Sequence, residues 1–158
     1  MLIPFDRDTA TVRSAIKVLI GLCRPRDSLR SSGASIDLRT RQREHTRKQK
    51  ELAEERNCTR EIPAMLLTEK NEINFRITGR ADLLTEDGET VIEIKTAQPM
   101  PESPATRHLL QVLFYAKALG AKHAAMVYTD PDSRESLEFP IDLEDRTMID
   151  LWDGFITD

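Results

Sequence analysis

The dipeptide Asp87-Gly88, set between two stretches rich in β-branched and aliphatic residues, constrains this chain more than any other feature. A tight two-residue turn needs positive φ at residues that tolerate it, and Asp-Gly is among the strongest short-range signals for such a hairpin. With Asp87 and Gly88 as the loop, Glu86 pairs with Glu89 and Leu84 with Val91, and the same register sets Asp82 opposite Glu93. Side chains opposed in this way have Cβ atoms about 5 Å apart. Because successive side chains alternate between faces, Asp82, Glu93 and Lys95 are expected on one open face, and Ala81, Leu83, Ile92 and Ile94 on the core face.

Two carboxylates at that separation repel by about 3 kcal/mol at an effective dielectric of roughly 20, enough to disfavour the hairpin unless a positive group intervenes. Lys95 offsets part of the repulsion. A divalent cation offsets more, and hard oxygen donors with water suit Mg²⁺ or Mn²⁺ over softer metals. The plain alternative is an exposed hairpin whose wet face carries charges for solvation, with Glu-x-Lys a coincidence.

Composition narrows the classes. A chain of 158 residues, 39% hydrophobic and 32% charged, is expected to form one globular domain over 1–158 with a single core. No apolar run approaches the length of a membrane span or the core of a signal peptide, so a cytoplasmic protein without a membrane partner is expected. The two cysteines, Cys23 and Cys58, are too few and too far apart for a zinc or iron–sulfur site and read as ordinary thiols.

The net charge of −4 is unevenly divided: residues 1–60 carry 14 Lys and Arg against 8 Asp and Glu, whereas residues 61–158 carry 9 against 19. Arg39, Arg41, Arg43, Arg47, Lys48 and Lys50 crowd one short stretch around a single acidic residue, Glu44. Such a patch suits phosphate contacts to DNA while acidic residues elsewhere gather metal. A solvated helix face or a flexible arm is the alternative.

The order of elements follows from periodicity. Val12, Ala15, Ile16, Leu19 and Ile20 recur at helical spacing, with Asp8 or Thr9 as N-cap, and a Pro-, Ser- and Gly-bearing loop follows from Cys23. Residues 37–56 favour a helix with few apolar positions, which must bridge solvent or bind something to justify its order. The expected division is thus a helical, basic part over 1–60 and a sheet with flanking helices over 61–158. In the second part, short strands at Ile62–Leu67 and Ile73–Ile77 join the hairpin arms in an antiparallel meander. A helix from His108 stops at Gly120, and a buried strand follows at Ala124–Asp130. The strand, helix, strand succession demands a crossover and a parallel pairing, so the sheet is mixed. An edge strand carrying Pro140 and an amphipathic helix close the chain.

On the helix after the hairpin, Gln111 and Tyr115 share a face, with His108 one turn earlier. Taken in order, "GRADLL", then "EIKT" eleven residues on, then "HLLQVLFYAKAL" resemble the RecB-like branch of the PD-(D/E)XK nuclease superfamily over roughly residues 41–128. Its motifs are Gly-x-x-Asp, Glu-x-Lys and Gln-x-x-x-Tyr. The branch also places a histidine on an upstream helix, where this chain has His45, followed by Gln49 and, at the start of the next strand, Glu61. Ala81 stands where the superfamily name has proline, and Arg41 where relatives often carry glycine. The four cysteines of the iron–sulfur relatives are absent. The wording looks most like nuclease domains found beside helicases.

The resemblance implies an α/β restriction-endonuclease-like core and a Mg²⁺- or Mn²⁺-dependent DNA nuclease, an exonuclease in repair or recombination, with a helicase domain or subunit as a further partner. It implies Asp82, Glu93, the Ile94 carbonyl and His45 as metal ligands and Lys95, Gln111 and Tyr115 beside them in catalysis. Two other classes stay open: a catalytically silent DNA-binding module of the same fold, and an unrelated small-molecule hydrolase. The second would need an apolar pocket that 5% aromatic residues do little to line.

Overall fold

The structure, a computed structural model, describes residues 9–11, 37–70 and 73–157. A six-stranded mixed sheet forms the centre. Its longest part is a ribbon of two 13-residue strands, β2 (Cys58–Lys70) and β3 (Ile73–Thr85), paired antiparallel along their length. The separate short strands expected from the sequence are therefore one continuous β3, because Gly79 keeps its rung opposite Ala64 and does not end the strand. A short β1 (Thr9–Thr11) pairs in parallel with Arg76–Thr78 of β3. This corrects the helix expected to start at Thr9: the β-branched threonines find an extended partner at long range. The remainder of that expected helix and the loop after Cys23 lie outside the described residues. Arg60 and its neighbours already belong to β2, so the N-terminal part is not helical as far as residue 60.

From β3 the chain turns into β4 (Thr90–Thr96), crosses over through α2 (Thr106–Leu119) and returns as β5 (His123–Thr129), parallel to β4. A helix α1 (Leu38–Glu55) precedes the ribbon; β6 (Ser136–Ile141) pairs antiparallel with β5, and α3 (Arg146–Thr157) follows. Pro140 falls on this outer strand, where its missing N–H is harmless. The crossover satisfies the geometry a parallel pair requires, and its helix is the hub of the larger core. All seven residues from Leu110 to Ala116 are buried, and all but Gln111 pack with Val91, Met126, Trp152 and Phe155. On the opposite face Leu52 of α1 packs with Leu83, Ile92, Ile94 and Val127. Helices thus cover both faces of β4.

Gly120 ends α2 in the left-handed region at φ 68, with its N–H donated to carbonyls of the last turn. Open space surrounds the position a Cβ would take, so only backbone strain opposes a side chain there. Gly120→Ala is expected to lower stability by about 1–2 kcal/mol in a denaturant titration, and Gly120→Asn by less.

Candidate active site

The turn between β3 and β4 keeps the expected register with a different loop. Leu83 pairs with Ile92 and Leu84 with Val91, but four residues, Glu86 to Glu89, connect the strands. The Gly88 N–H donates to the Thr85 carbonyl at 2.8 Å with Gly88 at φ 74, and the Asp87 carboxylate accepts from Glu89 N–H. The side chain of Asp87 thus ties the wider turn together, accepting from Thr85 Oγ1 as well.

One residue beyond Leu83 the regular pairing stops. The Asp82 carboxylate reaches across to β4, where Oδ2 accepts the Ile94 amide hydrogen at 2.8 Å, and the same oxygen lies 3.2 Å from His45 Nε2. Glu93 stands next to Ile94 with 2% of its surface exposed. Its Oε1 accepts from Lys95 Nζ at 2.5 Å, while Oε2 is buried without a hydrogen-bonding partner. Asp82, Glu93, Lys95 and His45 therefore meet in one place.

That place is not the open face expected from strand alternation. Glu93 has the parity of Val91, which packs under α2, while Ile92 and Ile94 pack under α1. A second correction concerns Ala81, which joins the α2-side core with Ile77, whereas Leu83, two residues on, joins the α1-side core. In β2, Cys58 and Ala64 are divided in the same way. The ribbon exchanges its faces between these residues, at Glu61 and Asp82, and Glu61 takes the left-handed φ of 57 there.

Burial and then the charge of Asp82 push the Glu93 carboxyl up to about 7, against the pull of Lys95. The His45 imidazole is raised by its hydrogen bond to Asp82, against burial. From α2, Gln111 Nε2 donates to Tyr115 Oη at 3.2 Å, and both side chains are buried. The Tyr115 hydroxyl, which accepts from Gln111, is pushed up to about 12, first by burial and then by the Glu93 charge. His108, a turn earlier, bonds instead to Tyr128 Oη at 2.8 Å.

The basic stretch of α1 divides. Arg39, Arg43 and Lys50 are exposed and Arg41 is partly so. Arg47 is forked onto Glu44 and paired with Glu51, and Lys48 is buried and bonded to Glu51 at 2.5 Å. Of the six basic side chains expected along this helix, Arg47 and Lys48 are thus engaged by carboxylates one turn away on the same helix. The scarcity of apolar residues in α1 has the same explanation: the helix docks through polar contacts, Glu44 accepting from Thr129 Oγ1 and Gln49 from α1 reaching Glu61 and Asp82. Sequence reasoning named Gln49 and Glu61 only as part of the resemblance and gave Glu44 and Thr129 no role; Gln49 lies one helical turn after His45 and so shares its face.

Among the described residues no three His, Cys, Asp or Glu side chains enclose a metal by themselves. The donors at hand are two carboxylates, one with an unpartnered buried oxygen, and a neighbouring carbonyl. That set fits a hard cation that keeps several waters, as Mg²⁺ does.

Residues 12–151 match the PD-(D/E)XK nuclease superfamily, and the chain belongs to it. Among solved structures the chain is similar to SSO0001, at TM-score 0.62 and 21% identity over 96% of this chain and 76% of that one. It is also similar to the alkaline exonuclease LHK-Exo from Laribacter hongkongensis, at TM-score 0.51 and 14% identity over 93% of this chain and 84% of that one. No curated protein sequence matches it. No helix among the described residues is long and apolar enough to cross a membrane.

Proposed function

We propose that this chain is a divalent-cation-dependent deoxyribonuclease, one nuclease domain that hydrolyses phosphodiester bonds from DNA ends. The observation that carries the reading is the buried Glu93 carboxylate, set between Asp82 and Lys95 with one oxygen unpartnered. A structural carboxylate so buried would be expected to have all its lone pairs satisfied. Asp82, Glu93 and the Ile94 carbonyl would hold Mg²⁺ or Mn²⁺, with neutral His45 at the edge of the shell. When bound, the ion polarises the scissile phosphate and lowers the pKa of a coordinated water.

The protein's own groups supply the rest. Lys95, held at 2.5 Å from Glu93, presents its ammonium where negative charge develops on the phosphorane. Gln111 and the neutral Tyr115 orient the substrate phosphate or Lys95. Arg39, Arg41, Arg43 and Lys50 lie on one helix for backbone contacts, which position the DNA without reading its sequence. The exonuclease reading draws support from fold likeness to a protein named as an alkaline exonuclease. We further propose, from the motif resemblance to helicase-associated domains alone, that the activity serves repair or recombination, in the cytoplasm and beside a helicase.

The test is a cleavage assay on linear duplex, closed circular and single-stranded DNA, with Mg²⁺, Mn²⁺ or EDTA. Cation-dependent loss of linear DNA with circles spared is the expected result. Equal cutting of circles would remove the end preference, and binding without cleavage under every condition would leave a silent module. Tyr115→Phe is expected to lower turnover about tenfold while Mn²⁺ affinity stays at wild type, since the phenol is proposed as a donor and not a ligand. Isothermal titration of the variant with Mn²⁺ checks the second half.

A further inference from the structure

The β2–β3 ladder runs in unbroken register from Cys58↔Thr85 to Lys70↔Ile73 with one rung missing, between Glu61 and Asp82. Three other departures fall on that rung. Glu61 is left-handed, a conformation unfavourable to a residue with a Cβ. The two strands exchange faces there, as Ala81 and Leu83 show. The Asp82 side chain, not a regular backbone rung, makes the bond to β4 at Ile94.

What occupies the gap is a side chain from α1. Gln49 is 2% exposed, and its single NH₂ group donates to the Asp82 carbonyl at 3.1 Å and to Glu61 Oε1 at 2.7 Å. An amide nitrogen has two hydrogens, and both are used. The carbonyl that the ladder leaves behind is thereby satisfied, and the Glu61 carboxylate is held beside it. Without this bridge the Asp82 carbonyl would lose the buried hydrogen bond that Gln49 gives it, or the ladder would close and turn the Asp82 side chain away from β4. A bent strand that re-aims one side chain is a recurrent device beside active sites.

We propose that Gln49 is a positioning residue for the Asp82 carboxylate: its amide holds open the Glu61–Asp82 rung, and the opened rung directs Asp82 to the Ile94 amide and the cation site. The inference rests on the nuclease reading only for the cation; the aiming of Asp82 at Ile94 can be tested without one.

Two measurements test it. In metal-free protein, amide hydrogen exchange by NMR is compared between wild type and Gln49→Met, which keeps length and loses both donors. The Ile94 amide should exchange at least tenfold faster, while Val127 on the next strand keeps its protection. Mn²⁺ affinity is then measured by electron paramagnetic resonance in a Lys95→Ala background, where turnover does not interfere. Gln49→Met should weaken it at least tenfold, and Gln49→Asn, which keeps the amide on a shorter arm, should fall between. Unchanged Ile94 exchange in Gln49→Met overturns the proposal, as does faster exchange spread evenly over all strands, the mark of ordinary packing loss. Should Gln49→Met fail to fold, Gln49→Asn carries the same two readouts. If Ile94 alone becomes labile while neither form binds Mn²⁺, Gln49 positions Asp82 as stated and the metal reading is the one that falls.

Discussion

Lys95→Ala is expected to slow single-turnover cleavage of end-labelled duplex DNA by about 10²–10³-fold, the usual loss when one preorganised donor to a developing oxyanion is removed. The expectation comes from placement. Lys95 follows Glu93 by two residues on β4, so both side chains leave the strand on the same side, and the ammonium is fixed by a 2.5 Å bond to the carboxylate. With 15% of its side chain exposed it is neither a solvated surface charge nor wholly shut in. The fold should tolerate its loss, but not equally at all pH values. Removal leaves both Glu93 oxygens without a donor, so the variant should melt close to wild type near pH 5.5 and lose on the order of 1–3 kcal/mol near pH 8. A rate within tenfold of wild type would withdraw the catalytic assignment.

Glu93→Gln should separate stability from activity in opposite directions. In the folded protein the Glu93 carboxyl is raised from 4.5 to about 7, chiefly by burial and then by Asp82. The folded state therefore holds its proton more tightly than the unfolded chain, and this contribution is fully present below about pH 4.5 and is lost as pH rises through 7. The raised His45 imidazole acts in the same sense, stabilising at low pH and losing that contribution above its folded value. Metal-free wild type should thus melt lower at pH 8 than at pH 5, by roughly 5–10 °C if the loss is about 2–3 kcal/mol. Glutamine, similar in shape and neutral, should flatten most of that slope and melt higher than wild type at pH 8. Saturating Mn²⁺ should raise the wild-type melting temperature by mass action and leave the variant nearly unmoved, with cleavage reduced about 10³-fold or more. A variant that melts lower than wild type at pH 8, or keeps its Mn²⁺ response, would show that the buried acid is structural.

Much of this molecule can be read locally. The Asp87-Gly88 turn and the alternation around it set the register that pairs Leu83 with Ile92 and Leu84 with Val91. Gly120 marks the end of α2, and the strand, helix, strand succession implies the parallel β4–β5 pair. Each depends on turn chemistry or on hydrophobic period, quantities carried by residues a few positions apart. The ordered triple of Asp82, Glu93-x-Lys95 and Gln111-x-x-x-Tyr115 is legible for the same reason, since each part is a short spacing on one element.

Three features belong to the assembled fold alone. Glu93 is enclosed because α1 and α2, more than forty residues from each other along the chain, cover opposite faces of the same strand, and strand parity says only which face a side chain takes. Lys48 and Arg47 look like phosphate ligands in sequence, yet on the folded helix Glu44 and Glu51 hold them. The exchange of faces at Glu61 and Asp82 leaves no mark in the hydrophobic pattern, because both faces of β3 are covered and Ala81 and Leu83 are buried whichever face they take. It becomes visible only when Gln49, thirty-three residues before Asp82, supplies the hydrogen bonds that the opened rung gives up. The sequence by itself thus determined the candidate residues and the elements on which they stand. Their enclosure, their charge state and the direction in which Asp82 points were decided by tertiary contacts, because desolvation and long-range hydrogen bonding exist only once distant segments have met.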